Sequence, residues 1–491
     1  MDPTEGVDVR MPHTIYRTDI FVTKLTPVGS FEWTFTTGGL GDDGAGGVVT
    51  DASGYIYVAG GFQQIVDLDP GPGVDLHAAP ERSYLGNTFL AKLGPDGTYL
   101  WGRSFQMPYG EATALLSSIG IDVQGNLVLA GVFGGDVDFD PGPGEARRAS
   151  QNTGLYVVKL SSDGGFIWVQ TFGGRSASGP KDVLLDAAGN VFVSGIFRGT
   201  VDFDPGPGID RRTVERIRDN VFVMKLHPDG SYAGTVTYPI WDAAMAVTPE
   251  GDLVVTGGFT GTVDFDPTSK SFFQTAVPGY DPFGYPKDDL FVTKLDSAHG
   301  HVWTYTAGSP AVERGMAVVV DPSGDVVVSG NIVDTTVDFD PGPQLAEYTC
   351  DAEGGGTCHV LLRLRSDGTF VSVQGTHLAA ETFYRRMIAD SAGNILIERS
   401  ILDGVDVDPG CEVVTPGLGG YVTKLTCAPR DGDFDEDGDI DLFDLGRYQS
   451  CFEGEGSETC AAGCDVFDLT PDNALDLSDL PAFQALLTGP R

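Results

Sequence analysis

The sequence predicts an all-β fold, a β-propeller of four-stranded blades, followed by a small α-helical calcium-loop module, and three observations carry that prediction. Apolar hairpin segments recur with a period near 67 residues; Gly (68) and Pro (30) make up close to a fifth of the 491 residues; and the composition shifts after Cys427. Turn-rich content without a G-X-Y period fits many short strands better than long helices or collagen. The expected division is a propeller over residues 1–427 and a separate module over 431–491.

Each repeat is marked by a Lys-Leu pair ending an apolar strand, at Lys24, Lys92, Lys159, Lys225, Lys294 and Lys424, with Arg363 standing in once. The successive spacings are 68, 67, 66, 69, 69 and 61 residues. Nine residues further on stand Trp33, Trp101, Trp168 and Trp303, with Gly234 and Ser372 as departures. Between them falls an Asp-Gly turn, at 96–97, 163–164, 229–230 and 367–368, with apolar residues on both sides. That is a hairpin signal. A second hairpin precedes it in each repeat, turning at Gly54, Gly125, Gly189, Gly251, Gly324 and Gly393. Four short strands per repeat follow, here A to D, and such a unit repeated five to seven times is the arithmetic of a propeller. The chain holds C and D of one blade, five complete blades and A to C of a last, which makes seven blade positions. Six blades are the alternative, if the chain ends pair. Asp2-Pro3 aligns with Asp69-Pro70, so the sequence opens inside a linker. The expectation is that an amino terminus with an export signal has been lost.

After strand B the chain reads VDLDPGPG, VDFDPGPG twice, VDFDPTSK, VDFDPGPQ and VDVDPGCE. The paired acids are Asp67/Asp69, Asp138/Asp140, Asp202/Asp204, Asp264/Asp266, Asp338/Asp340 and Asp406/Asp408. In extended chain, residues i and i+2 share a side, and like charges that close need a cation, donors or solvent. Either calcium sits on each pair, as hard oxygen ligands allow, or each Asp caps the Pro-Gly turn through the following amides. The second reading is the more economical, since no further ligand is visible. The strand-C cation either neutralises one of these carboxylates or is an ordinary exposed strand Lys. From Asp-Pro to that cation the chain varies from 16 residues (Asp408 to Lys424) to 28 (Asp266 to Lys294). Variable loops on a rigid scaffold are where recognition sits, so this face is expected to carry a carbohydrate or protein ligand.

The formal charge of −40 repels phosphate backbones and anionic headgroups, which argues against nucleic acid and membrane surfaces as partners. No apolar run approaches the roughly 18 residues of a membrane span. The seven His, at His13, His77, His227, His299, His301, His359 and His377, show no metal-ligand spacing and read as solvated loop residues. No nucleophile elbow, P-loop or HExxH occurs. A Trp at one fixed offset per repeat is what packing between blades requires, rather than a sugar-stacking ring. The seven Cys all follow residue 349. A bridge between Cys350 and Cys358 would close a flexible loop, Cys411 with Cys427 could tie the last blade, and disulfides suit an exported protein.

Residues 431–491 hold 16 acids and two Arg. Asp433, Asp435, Asp437, Asp439, Asp441 and Asp444 occupy positions 1, 3, 5, 7, 9 and 12 of a calcium loop, with Gly438 at the sharp turn and Ile440 after it. A second, weaker loop runs Asp468, Thr470, Asp472, Ala474, Asp476 and Asp479, with Asn473 in the glycine position and Leu475 matching Ile440. Ca²⁺ is the cofactor these loops imply, and it would offset their acid repulsion. Helical patterns, LFDLGRYQSCF and LSDLPAFQALL, follow each loop.

Over roughly residues 1–426 the units resemble the bacterial β-propeller repeat family SBBP, with its V-D-F-D-P-G-P-G and F-V-x-K-L-x-x-D-G-x-x-x-W motifs. That resemblance implies a secreted or surface-displayed propeller and no defined reaction. Ser161, Asp163, Gly165 and Trp168 resemble the Asp-box of sialidase-type propellers, a structural element in its family. Residues 431–489 resemble a dockerin, since Asp closes each loop and a helix only follows it. That implies a cohesin-like or cell-surface protein as partner. Loop positions 10 and 11, which help select the cohesin in that family, are Leu442, Phe443, Leu477 and Ser478 here. The expected function is a non-enzymatic, exported binding or scaffold protein with a calcium-dependent attachment module. The alternative is a glycoside hydrolase-like component of a polysaccharide-degrading complex, tethered through the dockerin-like module.

Overall fold

The computed structural model describes residues 17–425, except 27–30, 81–85, 108–111, 174–176, 215–219, 241, 281–285, 334, 343–344, 351–356, 377–382, 391–394 and 402–418. All regular structure among them is β-strand, and no helix is long and apolar enough to cross a membrane. Both calcium loops and their helical patterns, residues 431–491, lie outside the described residues, as do Asp406, Asp408 and the Cys residues other than Cys350 and Cys358.

The chain divides into two compact units. The first comprises Met1–Val318, Val337–Glu347 and Asp367–Phe370. It contains four complete antiparallel sheets in the order A-B-C-D. The first of these is Gly44–Thr50, Ile56–Phe62, Asn87–Leu93 and Tyr99–Ser104, and the second Thr113–Ile121, Leu127–Asp138, Arg147–Leu160 and Phe166–Phe172. The third is Ala177–Leu185, Val191–Phe197, Asn220–Leu226 and Tyr232–Tyr238, and the fourth Ala243–Val247, Leu253–Phe259, Asp289–Leu295 and His301–Ala307. Ahead of them Ile20–Leu25 and Phe31–Gly39 pair as C and D. An all-β chain of repeated four-stranded antiparallel sheets is consistent with a β-propeller-like fold.

The apolar runs of strands B and C are explained by burial on both faces. Leu127 and Leu129 pack with Tyr57, Ala59 and Leu90 of the preceding sheet, while Val128 and Ala130 pack with Val191, Val193 and Phe222 of the next. Each sheet is thus the shared wall of two cores. Strands A and D keep more exposure and a more alternating pattern. Successive A strands also approach one another, and the Val183 amide donates to Ser118 Oγ at 3.2 Å.

The Trp residues pack between repeats, as their fixed offset predicts. Trp33 lies under the Asp-Gly turn of the next repeat, where a Cβ on Gly97 would sit 2.7 Å from the indole. Trp168 faces Gly230 and Trp303 faces Gly368 in the same way. Those glycines also hold φ near +82° to +86°, the left-handed region. Trp33 Nε1 and Lys24 Nζ both donate to the Pro95 carbonyl, at 3.3 and 3.2 Å. Trp168 Nε1 donates to the Pro228 carbonyl at 3.1 Å, Lys92 Nζ to Ser162 at 3.1 Å, and Lys225 Nζ to Ser297 at 2.7 Å. At each of these junctions a cation, an indole or both latch onto the next turn.

Lys24, whose side chain is 40% exposed and pairs with Glu32 at 2.9 Å, fits the exposed reading, but Lys159 and Lys294 correct both sequence readings of the strand-C cation. Lys159 is buried and pairs with Asp122 of its own A-B turn at 2.8 Å, not with Asp138 or Asp140. Lys294 likewise reaches Asp252 at 3.1 Å. Burial would raise the Asp122 carboxyl, but Lys159 and Asn126 outweigh it and hold the group below its ordinary value.

The second unit comprises Val319–Thr336, Tyr348–Ser366 and Val371–Arg491. Val326–Val333 pairs in register with Thr357–Leu364, and Phe383–Ala389, Ile395–Ile401 and Gly419–Leu425 form a three-stranded sheet, the expected A, B and C. Arg363 bridges Asp321 at 2.5 Å and Asp325 at 3.2 Å. Cys350 and Cys358 are joined by a disulfide, with Cα atoms 5.6 Å apart.

Gly97→Ala is expected to cost about 2–4 kcal/mol, from left-handed backbone and overlap with the indole. Gly261, at φ +64° with nothing within 4 Å of its Cβ position, should lose only about 1–2 kcal/mol as Ala. Urea unfolding of the two variants measures the gap.

Candidate functional site

The V-D-F-D-P-G-P-G segment, expected as a linker, is a small ribbon in its own right. Ile65–Asp67 pairs with Leu76–Ala78, Thr200–Asp202 with Arg211–Thr213, and Thr262–Asp264 with Phe273–Thr275. In the second sheet the ribbon is continuous with strands B and C, which is why those run to 12 and 14 residues.

Two side-chain types make the ribbon. The apolar pair of the motif points inward: Val66 and Leu68, Val137 and Phe139, Val201 and Phe203, and Val263 and Phe265 are all buried. Each Phe joins a ring cluster that recurs from sheet to sheet. Phe139 meets Tyr156 at 4.9 Å and Phe105 at 5.0 Å, Phe203 meets Phe222 at 4.9 Å and Phe197 at 5.2 Å, and Phe265 meets Phe291 at 4.8 Å and Phe259 at 5.4 Å. Such pairs contribute about 0.5–1.5 kcal/mol each beyond area burial.

The acids do the complementary work on the backbone. Asp67 Oδ1 accepts the amides of Asp69 and Asp75, at 3.1 and 2.9 Å, closing the eight-residue loop. Asp138 does the same with Asp140 and Ala146, and Asp264 with Asp266 and Phe272. The second acid caps the Pro-Gly turn: Asp69, Asp140, Asp204 and Asp340 accept the amides of Gly71, Gly142, Gly206 and Gly342 at 2.7–2.8 Å. A Cβ on Gly73, Gly144 or Gly208 would overlap that carboxylate, which accounts for the second glycine of the motif. The geometry is that of the capping reading. Among the described residues, no group of three or more His, Cys, Asp or Glu side chains is gathered to hold a metal ion.

Three of the ribbons also pair with the preceding repeat. Asp67 and Val66 pair with Gly38 and Gly39 at the end of that repeat's strand D, and Gln106 with Asp138 and Gly173 with Asp202 form equivalent bridges. The tips are apolar and open to solvent: Val74 is 71% exposed, Ile209 71% and Leu345 76%, all at one repeat position. Sequence reasoning located this face by its loop lengths but not these tip residues, whose signal was the apolar residue directly after P-G-P-G or P-G-P-Q. A cleft beside Pro141, lined by Thr88, Phe89, Arg103, Ser104 and Phe105, encloses only about 10 Å³, far below the roughly 300 Å³ typical of ligand pockets.

The Asp-box-like turn is structural, as its resemblance implies, and two other features were misread or missed. Ser161, Asp163 and Gly165 close their own turn, the Gly165 amide donating to Ser161 Oγ at 3.0 Å, as a structural element. His299 and His301 are not solvated loop residues. His299 is half-buried with its Nε2 shielded from solvent, and His301 stacks on Phe272 at 4.3 Å. Finally, Glu313 and Asp289 are buried acids. Glu313 accepts the Ser309 hydroxyl at 2.7 Å and the Ser309 amide at 2.9 Å, and Asp289 accepts the Val277 amide at 2.7 Å. Burial pushes Glu313 up to about 7, with Asp289 adding like charge, and burial pushes Asp289 up to about 6.

No family model matches the chain. An uncharacterized WD repeat-containing protein of Acanthamoeba polyphaga mimivirus is 22% identical over 217 residues, covering 39% of this chain. The chain spans 15% of that relative's length. A crystal structure of a protein of unknown function from Bacteroides caccae covers 60% of this chain and 92% of its own, at 11% identity and a TM-score of 0.23. With the strand pattern described above, the WD-repeat match supports a repeat β-structure.

A raised carboxyl pKa favours the folded state only while the group is protonated. The stability tied to Glu313 is therefore fully present below pH 4.5 and lost as pH rises through about 7. Glu313→Gln is expected to flatten that part of the profile and to gain on the order of 1–3 kcal/mol above it, read as urea midpoints across pH.

Proposed function

We propose that the chain is an exported, non-enzymatic β-propeller that serves as a binding or scaffold protein, using its ribbon face for recognition and residues 431–491 for calcium-dependent attachment or assembly. The observation that carries the binding role is the repeated apolar tip, Val74, Ile209 and Leu345, displayed on ribbons held by buried Val and Phe residues. Apolar side chains exposed at one repeat position on a rigid support are spent on neither core nor turn. The WD-repeat description of the mimivirus relative agrees with a propeller. The Cys350–Cys358 disulfide supports export, since such bonds persist in oxidising compartments.

The attachment role rests on the sequence of the module. Asp433, Asp435, Asp437, Asp439, Asp441 and Asp444 supply oxygens in the order a Ca²⁺ loop uses. Its dockerin-like pattern makes a cohesin-like or cell-surface protein the proposed partner.

Two measurements test these roles. Substituting Val74, Ile209 and Leu345 together by Asp should leave stability within about 0.5 kcal/mol by urea unfolding, because the tips belong to no core; a large loss would make them structural. Calorimetric titration of the full chain with Ca²⁺ should show binding that Asp433→Ala and Asp444→Ala each weaken. Unchanged isotherms in both variants would remove calcium from the proposal.

A further inference from the structure

Two departures from the repeat meet at a single junction. Gly234 stands where the other repeats carry Trp33, Trp101, Trp168 and Trp303, and His299 stands in the next turn where they carry Gly97, Gly164, Gly230 and Gly368. The imidazole fills the missing indole's place. The Cβ position of Gly234 lies 3.6 Å from His299 Nδ1 and 3.7 Å from Cε1. Large and small have changed sides, and the contact is kept. The exchange has a backbone cost: His299 retains φ of +66°, in a turn closed by its amide to the Asp296 carbonyl at 2.8 Å.

It also puts a titratable ring where the other junctions hold an indole. His299 Nε2 is buried with no hydrogen-bond partner. Lys225, on strand C of the preceding repeat, is itself buried and donates to the carbonyl of Ser297, two residues from His299. The acids near the turn are already engaged. Asp296 Oδ1 accepts the amides of Ala298 and Gly300, at 2.9 and 2.7 Å. Asp186, which approaches the turn through Gly251, accepts the amide of Asn190 at 2.8 Å and its side chain at 2.6 Å.

We propose that this junction is an acid-released latch, in which protonation of His299 sets an imidazolium with an unsatisfied N–H beside the Lys225 ammonium and loosens Tyr232–Tyr238 from the hairpin carrying His299. Burial first, and Lys225 second, hold the imidazole below its ordinary 6.5, with Asp296 opposing. The latch is intact above that value and is lost as pH falls through the lowered one. The Trp junctions contain no imidazole and stay closed.

Hydrogen exchange read by mass spectrometry on the full chain, at about pH 7.5 and about pH 5 with intrinsic rates divided out, tests this. Segments 232–238 and 296–301 should exchange several-fold faster in acid, while 33–39 and 94–99 do not. The double substitution Gly234→Trp with His299→Gly rebuilds the ordinary arrangement and should abolish the acid effect. His299→Gly alone leaves a gap, so exchange should be faster at both pH values and equally so. An acid effect that survives His299→Gly, or one of equal size at the Trp33 junction, overturns the proposal.

Discussion

Burial of both faces of every sheet is the constraint on which the first unit depends. A sheet with one apolar face needs one partner; strands such as Leu127–Asp138, with Leu129 turned one way and Val128 the other, need two. Each core is then assembled from two repeats, and no repeat buries its own apolar residues alone. The recurring ring cluster around Phe139, Phe203 and Phe265 extends this to the ribbon, which is fastened by aromatic packing rather than by length of pairing.

The acidity of the chain looks different against that background. Many of its 70 acids are local ligands of the backbone. Asp51, Asp122 and Asp321 each accept two amides of the A-B turn, and the ribbon acids do the same for the Pro-Gly loop. A carboxylate bound to two N–H groups keeps its charge at little cost. Glu313 and Asp289 are of a different kind, because they are held inside the protein beside like charge.

The period, the hairpins and the strand order were legible because turn glycines and the Lys-Trp spacing are local and repeated. The partner of the cation was not: Lys159 could reach Asp138 or Asp122 as far as spacing tells, and only the direction of its strand decides for Asp122. The ribbon escaped for a related reason, since three-residue strands such as Ile65–Asp67 are too short to show alternation. The indole contact was foreseen in kind, though not in its target, because Gly97 lies 64 residues from Trp33. His299 was misjudged because its meaning depends on Gly234, a residue in another repeat.

That last dependence bears on modularity. If the large and small halves of each contact sit in successive repeats, the inheritable unit is the seam and not the blade. Cutting the chain at repeat boundaries and splicing in a foreign repeat would bring indole against imidazole, or leave glycine facing glycine. A crossover in strand B or C would do so as well, because it falls between a residue such as Trp33 and its partner Gly97, whereas a cut between the turn residue and the following strand D, as between Gly97 and Trp101, would carry each matched pair across intact.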